Sequence, residues 1–176
     1  DGVKMAKSAG NAFILSDIES QGIDPLAFRY LCLTAKYGAR LNFTFGSLKA
    51  AQRGLLRLQN LFWTWGMLPP LKGGDDGVVE EWWGRFLERV SDNLDLSGAL
   101  ALTWAVVRSD LPGQRKLEVV RRFDRVLGLG LDRVTEAYGV PDRAREAIER
   151  RTGLRERREF EEADAIRDAL DGDGFV

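Results

Sequence analysis

Two lysines lie close together near the start of the chain, in the run DGVKMAKSAGN at residues 1–11. Lys4 and Lys7 are three positions apart, and Ser8 and Gly10 follow them. A lysine ammonium is a compact charge on a flexible stem, and glycine widens the conformations open to a loop. Such a loop suits a polyphosphate, because lysines that close over it stabilise the charge that develops as a leaving group departs. The alternative is a solvated basic loop, since short motifs also match by chance.

The chain contains no histidine. This excludes a Ser-His-Asp triad, a zinc site with histidine ligands and the commonest general base. Attack of a carboxylate on the α-phosphorus of ATP requires none of these groups, because it depends mainly on positioning and charge stabilisation. We expect the other active-site residues of any enzyme to lie elsewhere. The chain also does not begin with Met, so we expect it to be a piece of a longer protein.

Charge and cysteine content narrow the function classes further. The net charge of −1 excludes a wholly basic surface, so any RNA contact must be local. Cys32 is the single cysteine, which excludes an internal disulfide and favours a reducing compartment. We expect it to be a small buried helix residue and not a nucleophile. No apolar stretch reaches the roughly 20 residues of a membrane span, so we expect a cytoplasmic protein without a membrane partner.

The hydrophobic pattern predicts a mainly α fold. Asp24 and Pro25 begin a helix that Gly38 would end, and Leu41, Phe43 and Phe45 alternate with polar residues as in a short strand. Apolar residues at spacings of three and four then predict an antiparallel bundle. Its expected helices are the following: from a Ser47 cap to about residue 65, around 79–90, from a Ser97 cap to 108, from 111–114 to the GLGL run, from Pro141, and around 160–170. A loop is predicted at 67–77.

Two helices carry rows of basic residues. Lys49, Arg53 and Arg57 recur every fourth position, and a second group comprises Arg115, Lys116, Arg121, Arg122 and Arg125. Rows of this kind contact RNA phosphates. The alternative for each row is a solvated helix face with internal ion pairs.

The tryptophans fall within helical patterns and are predicted to be core residues, not base-stacking platforms. This applies to Trp63, Trp82, Trp83 and Trp104. Trp65, beside Gly66 at a helix end, is left open.

These motifs together resemble the cysteinyl-tRNA synthetase family of class I, in its C-terminal portion. The loop KMAKS followed by AGN is similar to the KMSKS signature of that class, which alone does not indicate the amino acid. Three later segments match the family in the right order: DPLAFRYLCLTAKYGARLNFTFGSLKAAQRGLLRL, FDRVLGLGL and EFEEADAIRDAL. Ala6 departs from the serine that is common in the family, which affects only a minor hydrogen bond. Further departures at Gly38, Asp95 and Leu96 weaken any transfer of tRNA-contact detail.

The resemblance implies a fold with two regions that have different roles. Residues 1–46 would form the lysine loop and a small mixed α/β stem-contact region. Residues 47–176 would form a helical bundle of the anticodon-binding type that contacts tRNA and ends before the anticodon-reading module. The catalytic lysines would be Lys7 and Lys4, and the ATP contacts would be Lys4, Met5, Lys7 and Ser8. The RNA contacts would come from Lys49, Arg53, Arg57, Arg121, Arg122 and Arg125.

The resemblance also implies substrates and missing parts. The full-length enzyme would join L-cysteine to tRNA(Cys) with ATP and Mg²⁺, through cysteinyl adenylate. Its zinc site and its nucleotide-binding HIGH motif would lie in an upstream catalytic domain. This chain alone would bind no metal and form no adenylate.

Two alternative functions stay open at this point. The first is the related ligase that joins cysteine to an aminosugar in mycothiol synthesis, which shares the lysine loop and the adenylate chemistry. The second is a non-catalytic helical module that binds RNA or a protein. The runs LNFTFGSLKAAQRGL and EADAIRDAL favour the synthetase over the sugar ligase.

Overall fold

A computed structural model describes residues 13–71, 73, 77–133 and 142–172. Within those ranges the secondary structure is helical, which confirms the predicted mainly α class. The helices are α1 Leu15–Glu19, α2 Pro25–Leu33, α3 Phe45–Gly66, α4 Gly77–Ser91, α5 Leu96–Arg108, α6 Gly113–Leu127, α7 Asp142–Glu156 and α8 Phe160–Gly172. No helix in these ranges combines the length and the apolar character needed to cross a bilayer.

Helix α2 begins as its sequence predicts and ends early. The Asp24 carboxylate accepts a hydrogen bond of 2.8 Å from the Leu26 backbone N–H, and Pro25 occupies the first helical position. The helix stops at Leu33, five residues before Gly38. Cys32 is exposed, so the prediction of a buried cysteine is wrong. The buried face of α2 instead uses Ala27, Tyr30, Leu31 and Leu33.

The strand expected around residues 41–45 is not formed in the described structure. Residues 40–44 are irregular, and Phe45 is already the first residue of α3. A strand needs a partner for its backbone hydrogen bonds, and the described part of the chain supplies none. The alternation reflects a different packing, in which Leu41, Phe43 and Phe45 all lie against the core.

The start of α3 is fixed by a reciprocal cap. The Thr44 hydroxyl accepts from the Ser47 backbone N–H at 2.9 Å, and the Ser47 hydroxyl accepts from the Thr44 N–H at 3.0 Å. Ser47 is therefore inside the first turn and is not the cap residue itself. This exchange satisfies two otherwise unpaired donors at the helix start. The helix then runs for 22 residues.

Helices α3 to α6 enclose one apolar core together with α1 and α2. At its centre the rings of Phe86 on α4 and Phe123 on α6 stack with centroids 4.2 Å apart, and Trp83 stacks on Phe86 at 5.5 Å. The same core includes residues on both sides of the predicted 46/47 division, which falls in the first turn of α3. That division stays a functional prediction. Helices α7 and α8 pack against each other, with Leu154, Ala163 and Leu170 buried.

The end of α6 is tied to α2 and to the turn that follows it. Gly128 ends the helix at φ +62°, as predicted for the GLGL run. The Asp124 carboxylate accepts from the backbone N–H groups of Leu129 at 2.7 Å and Leu131 at 3.0 Å. Arg29 Nε of α2 donates to the Leu127 carbonyl oxygen at 2.6 Å. The Arg29 bond satisfies a carbonyl group that the helix end leaves unpaired, and the Asp124 bonds hold the N–H groups of the turn that follows.

Gly54 allows α2 and α3 to approach closely, so its replacement should destabilise the fold. A Cβ built at Gly54 would lie 2.8 Å from the hydroxyl oxygen of Tyr30, a buried side chain held by a hydrogen bond from Trp104. We expect Gly54→Ala to lower the free energy of unfolding by about 1 kcal/mol, because overpacking outweighs the gain in helix propensity. Thermal and denaturant unfolding measure it.

Gly84 supplies the matched control. It lies exposed inside α4, and a Cβ there would meet no atom within 4 Å. Gly84→Ala should therefore raise stability by about 0.5–1 kcal/mol. Equal stabilisation by both substitutions would contradict the proposed close contact.

The cap of α5 should make stability depend on pH. Asp95 accepts from the backbone N–H of Gly98 at 2.9 Å, from the Ser97 hydroxyl at 2.9 Å and from Arg89 at 3.3 Å. The backbone bond first, and then the other two, lower the pKa of this carboxyl below the usual aspartate value. Asp95, and not the predicted Ser97, is thus the N-cap.

A lowered folded-state pKa means that the ionised cap stabilises the fold above the unfolded-state pKa and loses this effect as the pH falls through the folded-state value. At pH 7 we expect Asp95→Ala to cost about 1 kcal/mol of unfolding free energy. Asp95→Asn keeps an uncharged cap, so the difference between wild type and Asp95→Asn should shrink below about pH 4. Denaturant melts across this range test the prediction, which fails if that difference is constant.

Candidate nucleic-acid interface

The lysine loop lies outside the described residues, so the structure does not place Lys4, Met5, Lys7 and Ser8. The description starts at Phe13, five positions after Ser8. The Phe13 ring contacts Phe45 at a centroid distance of 5.1 Å and Phe43 at 5.7 Å, and Phe43 also contacts Phe28 at 5.9 Å. The segment that follows the loop is therefore anchored beside the start of α3.

The first basic row forms an exposed face of α3. Lys49, Arg53 and Arg57 are all exposed, and Leu48, Leu55 and Phe62 of the same helix point into the core. The Arg57 guanidinium lies over the Trp104 ring, 5.7 Å from its centroid. In the described structure, Lys49 and Arg53 have no carboxylate within ion-pair distance. Two uncompensated positive charges thus stand one turn apart on this face.

The second basic group divides between two surroundings. Arg121 and Arg125 are exposed and line an open cleft of about 370 Å³ with Phe62, Asp124 and Asp132. The Arg121 guanidinium lies 5.4 Å from the Phe62 ring centroid. Because Asp124 already accepts two backbone bonds, its carboxylate is committed to the turn after α6. Backbone hydrogen bonds leave the charge of Asp124 in place, so the two arginines of the cleft face two carboxylates, Asp124 and Asp132, and the cleft carries no formal net charge.

Arg122 points to a different side of α6. Its guanidinium pairs with Glu80 of α4 and lies 4.6 Å from the Trp83 ring centroid. Nearby on α6, Arg115 pairs with Glu118 at 2.6 Å, and Lys116 Nζ donates to the Val107 carbonyl oxygen at 2.9 Å. On this side of α6, these contacts agree with the alternative to RNA binding, which is a solvated helix face whose charges have partners within the protein. The charge free for a ligand is therefore greater on α3 than on this side of α6.

The tryptophans are distributed differently from the prediction. Trp82, Trp83 and Trp104 are partly buried against the core. Trp63, predicted to be in the core, is 52% exposed, while Trp65, which the pattern left open, is 7% exposed. The signal was present in the sequence, since the buried series Leu55, Leu58, Phe62 and Trp65 defines a face that excludes position 63.

A hydrogen bond between two side chains links helices α2 and α5. Trp104 Nε1 of α5 donates to the Tyr30 hydroxyl of α2 at 2.9 Å. Burial raises the pKa of Tyr30 above its usual value, and the Trp104 hydrogen bond opposes that rise. Cys32 is exposed, but partial burial still raises the pKa of its thiol, and the charge of Arg29 partly offsets that rise. A thiol with a raised pKa is a poor nucleophile, which agrees with a non-catalytic Cys32.

The described residues contain no group of three His, Cys, Asp or Glu side chains that could hold a metal ion. The basic α3 face, where Lys49 and Arg53 have no carboxylate within ion-pair distance in the described structure, is a surface that suits an anion.

Comparison with known proteins gives the family context. No protein-family model matches the chain. A cysteine-tRNA ligase 1 of Burkholderia lata is 41% identical over 174 residues, which are 98% of this chain and 35% of the relative. A cysteine-tRNA ligase of Borrelia hermsii is 35% identical over 98% of this chain and 40% of its own length. One from Leptospira interrogans is 30% identical over 100% of this chain and 41% of its own length.

These relatives share one name, which agrees with the resemblance of the sequence motifs, and their alignments cover 98–100% of the chain. The chain spans only 35–41% of their length. The chain is therefore similar, over nearly its whole length, to part of proteins named cysteine-tRNA ligase.

Proposed function

We propose that the chain is the part of a cysteine-tRNA ligase that supplies the ATP-phosphate loop and a tRNA-contacting helical bundle. The complete protein would form cysteinyl adenylate from ATP and L-cysteine and then transfer cysteine to tRNA(Cys). The observation that supports this function is the 41% identity to a relative of that name over 98% of the chain. Its cytoplasmic location would follow from that of its tRNA substrate.

The chemistry assigned to the loop needs positive charge and mobility. As the cysteine carboxylate attacks the α-phosphorus, the bond to pyrophosphate breaks and negative charge grows on the leaving oxygens. Lys7 would stabilise that charge, and Lys4 would hold the phosphates, with Met5 and Ser8 completing the contact. Mg²⁺ accompanying ATP would share in neutralising the phosphates. Neither role asks a lysine to act as a base, so the lack of histidine is no obstacle.

A zinc ion that recognises the cysteine thiolate would have to be held outside this chain. Structural and catalytic zinc sites use cysteine, histidine and carboxylate ligands, and the chain has one cysteine and no histidine. Cys32 is exposed on α2, and its raised pKa disfavours the thiolate that a metal requires. The residues present thus do not fit such a site, and the upstream catalytic domain would supply it.

The bundle would meet tRNA through the exposed face of α3. Lys49 and Arg53 provide uncompensated charge, and Arg57 adds a guanidinium held over Trp104. Arg121 and Arg125 would add a second contact at the cleft beside Phe62. Arg122 would contribute least, because Glu80 already neutralises it.

The lysine loop is tested in the full-length ligase. We expect Lys7→Ala to lower cysteine-dependent exchange of pyrophosphate with ATP by about 10²-fold or more, the range for loss of one transition-state charge partner. Affinity for tRNA(Cys), measured by filter binding, should change less than about threefold. Lys36→Ala, an exposed lysine after α2, is the matched control and should leave exchange unchanged. Equal losses in exchange and in tRNA affinity would contradict the assigned role.

The basic face is tested by the salt dependence of tRNA binding. We expect the double variant Lys49→Gln/Arg53→Gln to bind tRNA(Cys) more weakly and to reduce the slope of log K against log salt by about 1–2, because two phosphate contacts are lost. The double variant Arg85→Gln/Arg108→Gln removes the same charge from exposed positions on α4 and α5. An equal slope change in both double variants would show a general charge effect instead of a defined face.

A further inference from the structure

The exposed side of α3 continues beyond its basic row into an apolar end. Positions spaced four and three apart follow this side of the helix: Lys49, Arg53, Leu56, Asn60, Trp63 and Met67, the last being the residue after α3. Leu56 is buried and Asn60 is half-buried, so the exposed surface has two parts, the cations before Leu56 and the apolar residues after Asn60. Trp63 is 52% exposed and Met67 is 70% exposed. Given the rise of an α-helix, Lys49 and Trp63 are about 21 Å apart along the axis. One face thus carries positive charge at one end and a large aromatic surface at the other.

Trp63 is the tryptophan whose ring has no partner within the described structure. Trp82 lies under Arg85, Trp83 stacks on Phe86, and Trp104 bonds to Tyr30. Trp65 is buried at 7% exposure. No described aromatic ring or guanidinium stacks on Trp63. The exposed part of this ring, with Met67 one turn further along the same side of the helix, is apolar surface on which a ligand with a flat face can pack.

The charge on the same face indicates which ligand fits. An apolar protein partner would be opposed by Lys49 and Arg53, whose charges have no counter-ion in the described structure and would need one in the interface. A single-stranded nucleic acid satisfies both ends, because its phosphates meet the cations and its bases have π-faces that stack on tryptophan. Duplex RNA satisfies only the cations, since its bases are already stacked on each other.

We propose that Trp63 is a stacking platform for an unpaired RNA base and that Lys49 and Arg53 contact the phosphates of the same strand. The proposal rests on the tRNA contact in the proposed function and adds what that contact recognises. The face would select an unstacked loop, bulge or end of the RNA over a continuous helix. Trp63 would then bind RNA through its ring surface, independently of the charge contacts.

The test compares two forms of one RNA. A labelled RNA of about 12 nucleotides, alone or annealed to its complement, is titrated with the chain at low ionic strength and followed by fluorescence anisotropy. We expect Trp63→Ala to weaken binding of the single strand by about 5- to 100-fold, the range for loss of one stacked base. Binding of the duplex should change less than twofold, because only phosphate contacts hold it. Trp63→Phe should retain most of the single-strand affinity.

Controls separate stacking from loss of structure. Phe160→Ala removes another exposed aromatic, 55% exposed on α8, and should leave both affinities unchanged. Circular dichroism and thermal melts should match wild type for Trp63→Ala, because the side chain lies largely outside the core. The log-log salt slope should be unchanged in Trp63→Ala and reduced in Lys49→Gln/Arg53→Gln.

The outcomes distinguish this inference from the proposed function. If the wild-type chain binds neither RNA, both the inference and the tRNA contact of the bundle fail. If binding depends on Lys49 and Arg53 but Trp63→Ala has no effect, or weakens strand and duplex equally, the inference alone is overturned. A change in the molar mass of Trp63→Ala by light scattering, without a change in RNA affinity, would show that Trp63 packs on protein and would also overturn it. Pyrophosphate exchange by the full-length ligase reports on the loop separately.

Discussion

Helix α2 approaches α3 closely where Tyr30 lies against Gly54, and this contact constrains how three helices of the fold pack. The Tyr30 hydroxyl occupies the space that a side chain at position 54 would take, and it accepts a hydrogen bond from Trp104. Helices α2, α3 and α5 therefore meet at one buried polar atom. A buried hydroxyl without a partner costs free energy, so this arrangement favours a single relative position of the three helices. The long α3 is thereby fixed with one face inward and the basic face outward.

A second set of hydrogen bonds links α2 to the end of α6. Arg29 reaches from α2 to the Leu127 carbonyl, and Asp124 closes the turn after Gly128. Since α2 also packs on α3, the helix with the basic row and the helix with Arg121 and Arg125 share one support. The anchored Phe13 lies next to the start of α3, so the segment after the lysine loop joins this support as well. One continuous core thus holds Phe13 and the basic face of α3 in a fixed relation.

The parts of the fold that depend on local signals could be predicted from the sequence. Asp24 with Pro25 marks the start of α2, and the αL glycine Gly128 marks the end of α6, because caps act within one turn. Helix α1 has five residues, which are too few for the three- and four-residue spacing of a helix to be recognised in the sequence. The strand expected at residues 41–45 illustrates the limit of local patterns, since alternation reports which side chains are half-buried but not whether a partner strand exists. In the structure, Phe43 and Phe45 meet Phe13 and Phe28 instead.

Local sequence patterns also did not show which basic residues of the candidate interface have partners in the fold. Spacing alone grouped Lys49, Arg53 and Arg57 with Arg121, Arg122 and Arg125, and a sequence cannot indicate which cations find partners across helices. The fold separates them: Glu80 and Trp83 engage Arg122, Phe62 engages Arg121, and Trp104 engages Arg57. An arginine held on an aromatic ring loses little further freedom on binding a phosphate, whereas a free lysine must be ordered at that moment. Arg57 and Arg121 are thus pre-positioned for an anion, and Lys49 and Arg53 supply the charge that no residue in the described structure offsets. An RNA strand that runs along α3 would meet the free cations Lys49 and Arg53 and the ring-held Arg57 before it reaches the exposed ring of Trp63.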